Sequence, residues 1–356
     1  MFYPVIKAGG TGTRLWPLSR RQFPKQALNI DGQQTLIQHA VNRLKPEFPP
    51  DQVFIVTREE HVAPLSAQVP DIPMENFIVE PEGRGTAPAI GLAAVTLQRR
   101  EPDSVMAVLT ADHLIKKARK FRQILLAAEH IAREGYLVTL GIKPSFPSTG
   151  FGYIEQGDAL SRVASYDVFQ AKRFVEKPDS ETARQMYDSG QYSWNSGMFI
   201  WQVKQILAEF RRQMPDFYEK LRRVDQTVGS DNHEETLNQV WPTIAKETID
   251  YGVMEGAGQV AVIPVDIGWS DVGSWASVYE VLSADEDGNR VIGQHVGLDT
   301  KDTLVVGNKR LIATIGLEGL VIIDTDDALL VCTREREQDV RAMVDLLEEV
   351  GEENLL

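Results

Sequence analysis

A short apolar segment, Tyr3-Pro4-Val5-Ile6, runs directly into Ala8-Gly9-Gly10-Thr11-Gly12-Thr13-Arg14, and this junction constrains the fold more than any other stretch of the chain. The segment reads as a buried strand, so the glycines fall where a strand leaves its sheet, the edge at which open α/β sheets bind ligands. Glycine lets the backbone approach a ligand closely and aim successive N–H groups at an anion. Residues 1–30 also contain no Asp or Glu, although 51 acids in 356 residues would place about four there. Arg14, Arg20, Arg21 and Lys25 therefore stand in an undiluted cationic patch. A strand, a glycine loop and nearby cations together make a site for a polyphosphate.

Composition narrows the partner. At 43% apolar residues over 356 positions the chain can bury a large core, and the expected division is an α/β domain at 1–287 and a smaller β-rich domain at 288–356. A net charge of −14 opposes nucleic acid and anionic membrane surfaces, which makes the basic patch a local site for a small anion such as a nucleotide. The single cysteine, Cys332, excludes an internal disulfide framework and a cysteine-rich zinc site. Its neighbours Ala328-Leu329-Leu330-Val331 place it in a buried strand as a packed thiol. No apolar run approaches the ~18–20 residues that span a bilayer, and the start lacks a signal-peptide pattern, so a soluble, cytoplasmic protein is expected.

Continuous apolar runs at 53–56, 77–79, 105–109 and 137–140 suit a sheet covered on both faces. Between them, Leu36, Ile37, Ala40, Val41 and Leu44 recur at helical spacing, as do Ile124, Leu125, Ala128 and Ile131. That alternation predicts a Rossmann-like, mostly parallel, twisted sheet with helices on both faces. Thr86-Ala87-Pro88 reads as a helix start with Thr86 as cap. From about Gly288 short apolar runs follow one another with turns and no helices, which fits a spiral of strands (β-helix-like) or a small barrel. Residues 334–350 read as a charged amphipathic terminal helix packing back onto the body.

The glycine loop fits neither common phosphate-binding pattern. A Walker loop needs Gly-Lys-Ser/Thr, and a dinucleotide fingerprint wants glycine where Leu15 stands. The whole string Gly9-Gly10-Thr11-Gly12-Thr13-Arg14-Leu15-Trp16-Pro17-Leu18-Ser19, followed by Pro24-Lys25, instead resembles the signature of the sugar-phosphate nucleotidylyltransferases, which make nucleotide sugars. Similar strings extend across nearly the whole chain: Glu80-Pro81-Glu82-Gly83-Arg84-Gly85-Thr86-Ala87-Pro88-Ala89, Ala111-Asp112-His113, Thr149-Gly150-Phe151-Gly152-Tyr153-Ile154, Phe174-Val175-Glu176-Lys177-Pro178, Trp194-Asn195-Ser196-Gly197-Met198-Phe199 and Gly268-Trp269-Ser270-Asp271-Val272-Gly273-Ser274-Trp275. The strings at 80–89 and 268–275 are most similar to the mannose-1-phosphate guanylyltransferase branch. That resemblance implies GTP and mannose 1-phosphate as substrates, with GDP-mannose and pyrophosphate as products.

Transfer of a nucleotidyl group brings two anions together while charge accumulates on the departing pyrophosphate. Fixed Arg and Lys side chains offset that repulsion, and Arg14 and Lys25 are the candidates, with Arg20 and Arg21 weaker ones. Mg²⁺ asks for one or two protein carboxylates plus phosphate oxygens. Asp112 follows an apolar strand at the same edge as the glycine loop, and Asp271 sits in a turn before a helix, where a turn or capping role is the alternative. The resemblance implies metal ligation for both, and because Mg²⁺ prefers oxygen ligands His113 reads as a hydrogen-bonding neighbour. It further implies nucleotide contacts from Ala8, Gly9, Gly10, Thr11, Gly12, Thr13, Arg84 and Thr86, and sugar-phosphate contacts from Gly152, Glu176, Lys177 and Asn195. Because strand neighbours point to opposite faces, Glu176 and Lys177 share a pocket only where their strand ends or bulges.

Three residues depart from the family pattern: Lys7 where an aliphatic residue is usual, Gly85 for Asn and Thr110 for Pro. The rival readings are the same chemistry on glucose 1-phosphate with dTTP, UTP or ATP, and a non-catalytic nucleotide-sugar-binding regulator. The chain stops short of the C-terminal isomerase domain of longer relatives, so one activity is expected. An exposed β appendage is compatible with a homodimer.

Overall fold

The computed structural model describes residues 1–10, 13–20 and 23–356, with the Thr13 side chain left out. The main sheet is assembled from β1 (Phe2–Lys7), β2 (Phe54–Arg58), β3 (Phe77–Glu80) and β4 (Val105–Thr110). After the two-residue β5 (Leu114–Ile115) come β6 (Leu137–Ile142), β7 (Tyr153–Val163), β8 (Tyr166–Val175), β9 (Tyr192–Gln202) and β10 (Val260–Val265). Their order is β3-β2-β1-β4-β9-β6-β10-β8-β7. Parallel pairing joins β1 to β2 and β4, β2 to β3, and β6 to β10, whereas β8 and β9 run against their neighbours. The sheet is therefore mostly parallel and mixed at two strands. The rhythm of strand and helix gave no sign of β9, which enters antiparallel between β4 and β6.

Helices cover both faces. Ile37, Ala40 and Val41 from the helix Leu36–Asn42 and Phe121, Ile124 and Ile131 from the helix Ala118–Arg133 pack on one side with Ile6, Ile55 and Leu109. The helix Thr86–Arg100 packs on the other with Phe210 and Phe217. Fully buried strands with apolar residues on both faces are what such a sandwich demands.

Because β1, β3 and β4 are parallel, their ends place Lys7, Glu80 and Thr110 along one edge, next to the glycine loop. The start of the helix Thr86–Arg100 is as expected, but Gly85 is the capping position, and the Thr86 hydroxyl accepts a hydrogen bond from the Ile249 N–H at 2.8 Å instead. A distant segment has captured the hydroxyl that the local sequence offered to the helix.

After β11 (Trp269–Ser270), which pairs antiparallel with β5, the helix Trp275–Val281 leads into six short strands. They are β12 (Arg290–Ile292), β13 (His295–Leu298), β14 (Leu304–Val306), β15 (Ile312–Ile315), β16 (Leu320–Asp324) and β17 (Leu329–Thr333). Each of β12, β13 and β14 pairs in parallel with the strand two places on. That is the pattern of a spiral, and it decides between the two arrangements the sequence allowed. β13 was not evident in the sequence because it is mostly exposed and carries Gly297. Cys332 in β17 is half-buried, and burial pushes its thiol pKa up. The expected terminal helix opens as a 3-10 helix, Arg334–Asp339, before the α-helix Val340–Glu349. The tighter turn pairs Arg336 with Asp339 at 2.7 Å and tucks Glu337 inside.

Candidate active site

Lys25 ties the two expected carboxylate segments together. It sits in the short turn Lys25–Ala27, 6% exposed. Its Nζ donates to Asp112 Oδ2 at 2.9 Å and to the Asp271 carbonyl at 2.9 Å. The β5–β11 ribbon does the same through the backbone: Ser270 lies opposite Leu114, so Asp271 and Asp112 leave adjacent ends of one antiparallel pair. The segments that carry the two aspartates thus meet at Lys25, despite being far apart in sequence, while Asp271 itself lines a neighbouring hollow of about 620 Å³ with Phe151, Trp194 and Trp269.

The Asp112 loop is braced from below. Arg43, 5% exposed, donates to the Thr110 carbonyl at 2.7 Å and to the His113 carbonyl at 2.6 Å. Trp269 Nε1 donates to His113 Nδ1 at 3.0 Å, which leaves the ring proton on Nε2, 3.8 Å from Asp112 Oδ1. Burial, only partly opposed by Asp112, pulls the His113 pKa down to about 4, so the ring is neutral. His113 is a hydrogen-bonding neighbour, as expected. For Asp112 itself, enclosure works to raise the pKa, but Lys25, then His113 and Lys7, outweigh it and hold the carboxyl ionised below the usual range.

A cleft of about 290 Å³ opens beside Asp112, lined by Lys7, Gly9, Gly10, Gln26, Glu80 and Thr86 among others. Gly9 and Gly10 form part of its wall. In the orientation that satisfies both amide atoms, Gln26 donates to the Gly10 carbonyl at 3.1 Å and accepts its N–H at 3.3 Å, which pins the loop. Gly85 adopts φ +93°, and a Cβ there would collide with the Glu247 carbonyl. Glu247 N donates to the Arg84 carbonyl at 3.0 Å, and its own carbonyl accepts from Ala87 N at 3.1 Å. The departure at Gly85 is therefore required by a close backbone crossing.

Glu80 is a cleft residue to which the sequence alone assigned no role. It is 4% exposed, its Oε2 has no hydrogen-bond partner, and burial, partly offset by Arg58, pushes its pKa up to about 8. Its place inside the quoted string 80–89 was the available signal. Gln26, Arg43 and Asp250 were also missed, and Asp250 offered none.

Gly152, Glu176, Lys177 and Asn195 come together in a second cluster. Asn195 N donates to the Gly152 carbonyl at 2.8 Å, and the Asn195 side chain donates to Asp250 Oδ1 at 2.7 Å. A Cβ on Gly152 would sit 2.5 Å from Glu176 Oε2, so glycine is what lets that carboxylate approach. Strand β8 ends at Val175 and Lys177 takes φ +43°, the break needed for neighbouring side chains to turn to one side. Lys177 Nζ meets Glu176 Oε1 at 2.6 Å. The Asp250 pKa is raised, first by burial, with Asn195 and Lys7 pulling the other way and Glu176 adding to the rise.

Several expected residues do not line the cleft. Arg14 lies on the turn Thr13–Leu15 and is exposed, not buried beside the loop. Arg20 does not turn to the cleft: it binds the Leu355 carbonyl and Asp327 Oδ1, the latter at 2.8 Å, because the C-terminal segment passes over it. Arg84 is paired with Glu82 rather than held free. Thr11, Gly12 and Arg21 lie outside the described residues. A larger groove of about 970 Å³, lined by Lys116, Lys117, Lys120, Tyr166 and Phe169 among others, contains none of the expected site residues.

Among the described residues no three His, Cys, Asp or Glu side chains gather into a metal cage. Asp271 Oδ1 accepts from Gly273 N at 3.1 Å and from Ser277 Oγ at 3.3 Å, so the turn role holds for that oxygen. Asp112 and Asp271 offer hard carboxylate oxygens on two segments that Lys25 joins. Such a pair fits a cation that takes its other ligands from phosphate and water.

The Nucleotidyl transferase family model matches residues 3–288, and that of the MannoseP isomerase/GMP-like beta-helix domain matches residues 293–347. The mannose-1-phosphate guanylyltransferase of Klebsiella pneumoniae is 40% identical over 354 residues, covering 98% of this chain and 74% of that protein. One from Escherichia coli K12 is 38% identical over the same shares. A solved structure described as a mannose-1-phosphate geranyltransferase from Thermus thermophilus superposes with a TM-score of 0.87 at 34% identity, covering 98% of this chain and 99% of that one. A glycine loop, a lysine-linked pair of aspartates and a trailing β-spiral coincide with these matches, and the chain belongs to the mannose-1-phosphate guanylyltransferases of the nucleotidyl transferase family.

Proposed function

We propose that this chain condenses GTP with mannose 1-phosphate. A phosphate oxygen of the sugar phosphate attacks the α-phosphorus, the bond to the β-phosphate breaks, and pyrophosphate leaves with the electron pair. GDP-mannose forms with inversion at phosphorus and without a covalent enzyme intermediate. The carrying observation is the Lys25 ammonium, bound at once to the Asp112 carboxylate and the Asp271 carbonyl, at the boundary of the nucleotide cleft. Its fixed charge stabilises the phosphate oxygens and costs no reorganisation during reaction. Lys177, Glu176 and Asn195 are the sugar-phosphate side: an ammonium for the phosphate and polar groups for the hydroxyls. A divalent cation such as Mg²⁺, held by Asp112 and Asp271 with phosphate oxygens, supplies charge neutralisation between the two anions when bound.

Guanine is favoured over other bases by Glu80. Glu80 lines the cleft, and its carboxyl carries a buried, unpartnered oxygen. Guanine offers the adjacent donors N1–H and N2–H₂, which favour the ionised form of the Glu80 carboxyl as they pair with it, whereas adenine offers no such pair on that edge, and leaving a buried acceptor unpaired costs about 1–3 kcal/mol. The same reading takes residues 1–287 as the catalytic part and 288–356 as the unit packed behind the phosphate loop.

The test is pyrophosphate release from the purified chain with Mg²⁺ across a panel of nucleotides and sugar 1-phosphates. Release with GTP and mannose 1-phosphate is expected. Release with dTTP and glucose 1-phosphate, but not with that pair, would overturn the assignment.

A further inference from the structure

Lys7 takes no part in the chemistry described so far, yet its surroundings single it out. It closes β1, opposite Thr110 of β4 and Val56 of β2, and its carbonyl accepts from Ala111 N at 3.1 Å, one residue before Asp112. The side chain lines the 290 Å³ cleft together with Thr86, Thr110 and Asp112. Among the described residues its Nζ makes no hydrogen bond and no ion pair, whereas the ammonium of Lys25 is engaged with two protein oxygens. An enclosed ammonium without protein partners retains its donors for a ligand.

Two carboxylates act on Lys7, and they belong to different clusters. Asp250 is bound to Asn195 on the sugar-phosphate side, and Asp112 is bound to Lys25 on the nucleotide side. An ammonium attracted by both stands where the two anionic substrates must meet. Burial pushes the Lys7 pKa down and both carboxylates oppose that, so a bound phosphate would favour the charged form still further.

From this geometry, and resting on the function proposed above, we infer that Lys7 is a catalytic residue whose ammonium holds a non-bridging oxygen of the α-phosphoryl group as it passes from pyrophosphate to the sugar phosphate. In this role it acts as a fixed cation and transfers no proton. Its role is charge stabilisation at the centre of the displacement, distinct from Lys25, which is anchored by Asp112 and Asp271. A contact that strengthens in the transition state lowers kcat when removed, whereas a uniform binding contact alters KM alone.

The experiment compares the unaltered enzyme with Lys7→Met and Lys7→Arg, measuring kcat and KM for GTP and mannose 1-phosphate and the thermal melting temperature of each. Met keeps the length and removes the charge. The expected result is a roughly 10- to 100-fold fall in kcat for Lys7→Met, a KM for GTP within about fivefold of the starting value, an undiminished melting temperature, and partial recovery of kcat in Lys7→Arg. Unchanged kcat in a folded Lys7→Met, or a change confined to KM, overturns the assignment. If Lys7→Met does not fold, Lys7→Gln carries the same comparison. Absence of turnover by the unaltered enzyme with this substrate pair fells the proposed function; an active enzyme matched by its Lys7→Met variant fells the Lys7 assignment alone.

Discussion

Glu80 and Asp112 stand at the ends of parallel strands on one sheet edge, and their surroundings drive them in opposite directions. Glu80 has burial, only partly offset by the charge of Arg58, its register partner on β2, and its pKa lies near 8 instead of the ordinary 4.5. Asp112 has Lys25 in contact and stays ionised. A carboxyl with a raised folded-state pKa contributes stability that is fully present below its unfolded value and is lost as pH climbs through the folded value. Wild-type stability should therefore decline between about pH 4.5 and 8, at up to about 1.4 kcal/mol per pH unit from this group. Glu80→Gln should flatten that decline in denaturant titrations run across the interval; an unchanged slope would show that Glu80 does not titrate there. The same variant should narrow the preference for GTP over ATP. Asp112→Asn, which keeps the shape and removes the charge, should cut turnover by roughly 10²–10³-fold with the fold retained. Normal turnover in that variant would remove Asp112 from the site. Both acids were visible in the sequence, but the environment that separates their behaviour is made by residues as remote as Arg58 and Lys25.

At the scale of elements, the site depends on backbone segments that brace one another. The loop before the helix Thr86–Arg100 is held by Glu247 and Ile249, and Trp241 Nε1 donates to the Glu82 carbonyl at 2.8 Å. Gly85→Ala places a Cβ against the Glu247 carbonyl at positive φ, and a loss of about 1–3 kcal/mol in denaturant unfolding is expected, with a raised KM for GTP. Wild-type stability in that variant would mean that the crossing can yield. The strings around 80–89, 112 and 271 were legible because glycine turns and strand ends leave local marks. Asp250 and Glu247 were not, because their positions follow from a long excursion after β9 that returns the chain to the same edge. β9 escaped for a related reason: an antiparallel strand inserted among parallel ones leaves no trace in the spacing of apolar runs.

Across the molecule, one apolar cluster joins the phosphate-loop segment to the β-spiral. Leu15, Trp16, Leu28 and Leu36 pack with Trp275, Leu304, Val306, Val321 and Val340. Trp16 Nε1 donates to the Leu355 carbonyl at 2.7 Å, and Trp275 Nε1 donates to the Trp16 carbonyl at 3.1 Å. The spiral thus shares a core with the segment that follows β1, and calorimetry should record a single cooperative transition. Two well-separated transitions would show that they fold as independent units. No helix among the described residues is long and apolar enough to cross a membrane.

The amino-acid sequence alone determined the α/β rhythm, the strand that delivers a glycine loop to a sheet edge, the spiral or barrel choice at the C-terminal end, and the identity of Lys25, Asp112 and Asp271 as residues to watch. These are local properties: periodicity, turn chemistry and strand ends are written within a few neighbouring residues. Tertiary structure decided the rest. It exposed Arg14, turned Arg20 to the C-terminal segment, buried Glu80 Oε2 without a hydrogen-bond partner, set Lys7 in the cleft with its ammonium unpaired, and brought Asp250 beside Asn195. Burial and charge environment arise from contacts between remote segments, and those contacts settle which of many similar side chains a ligand can reach.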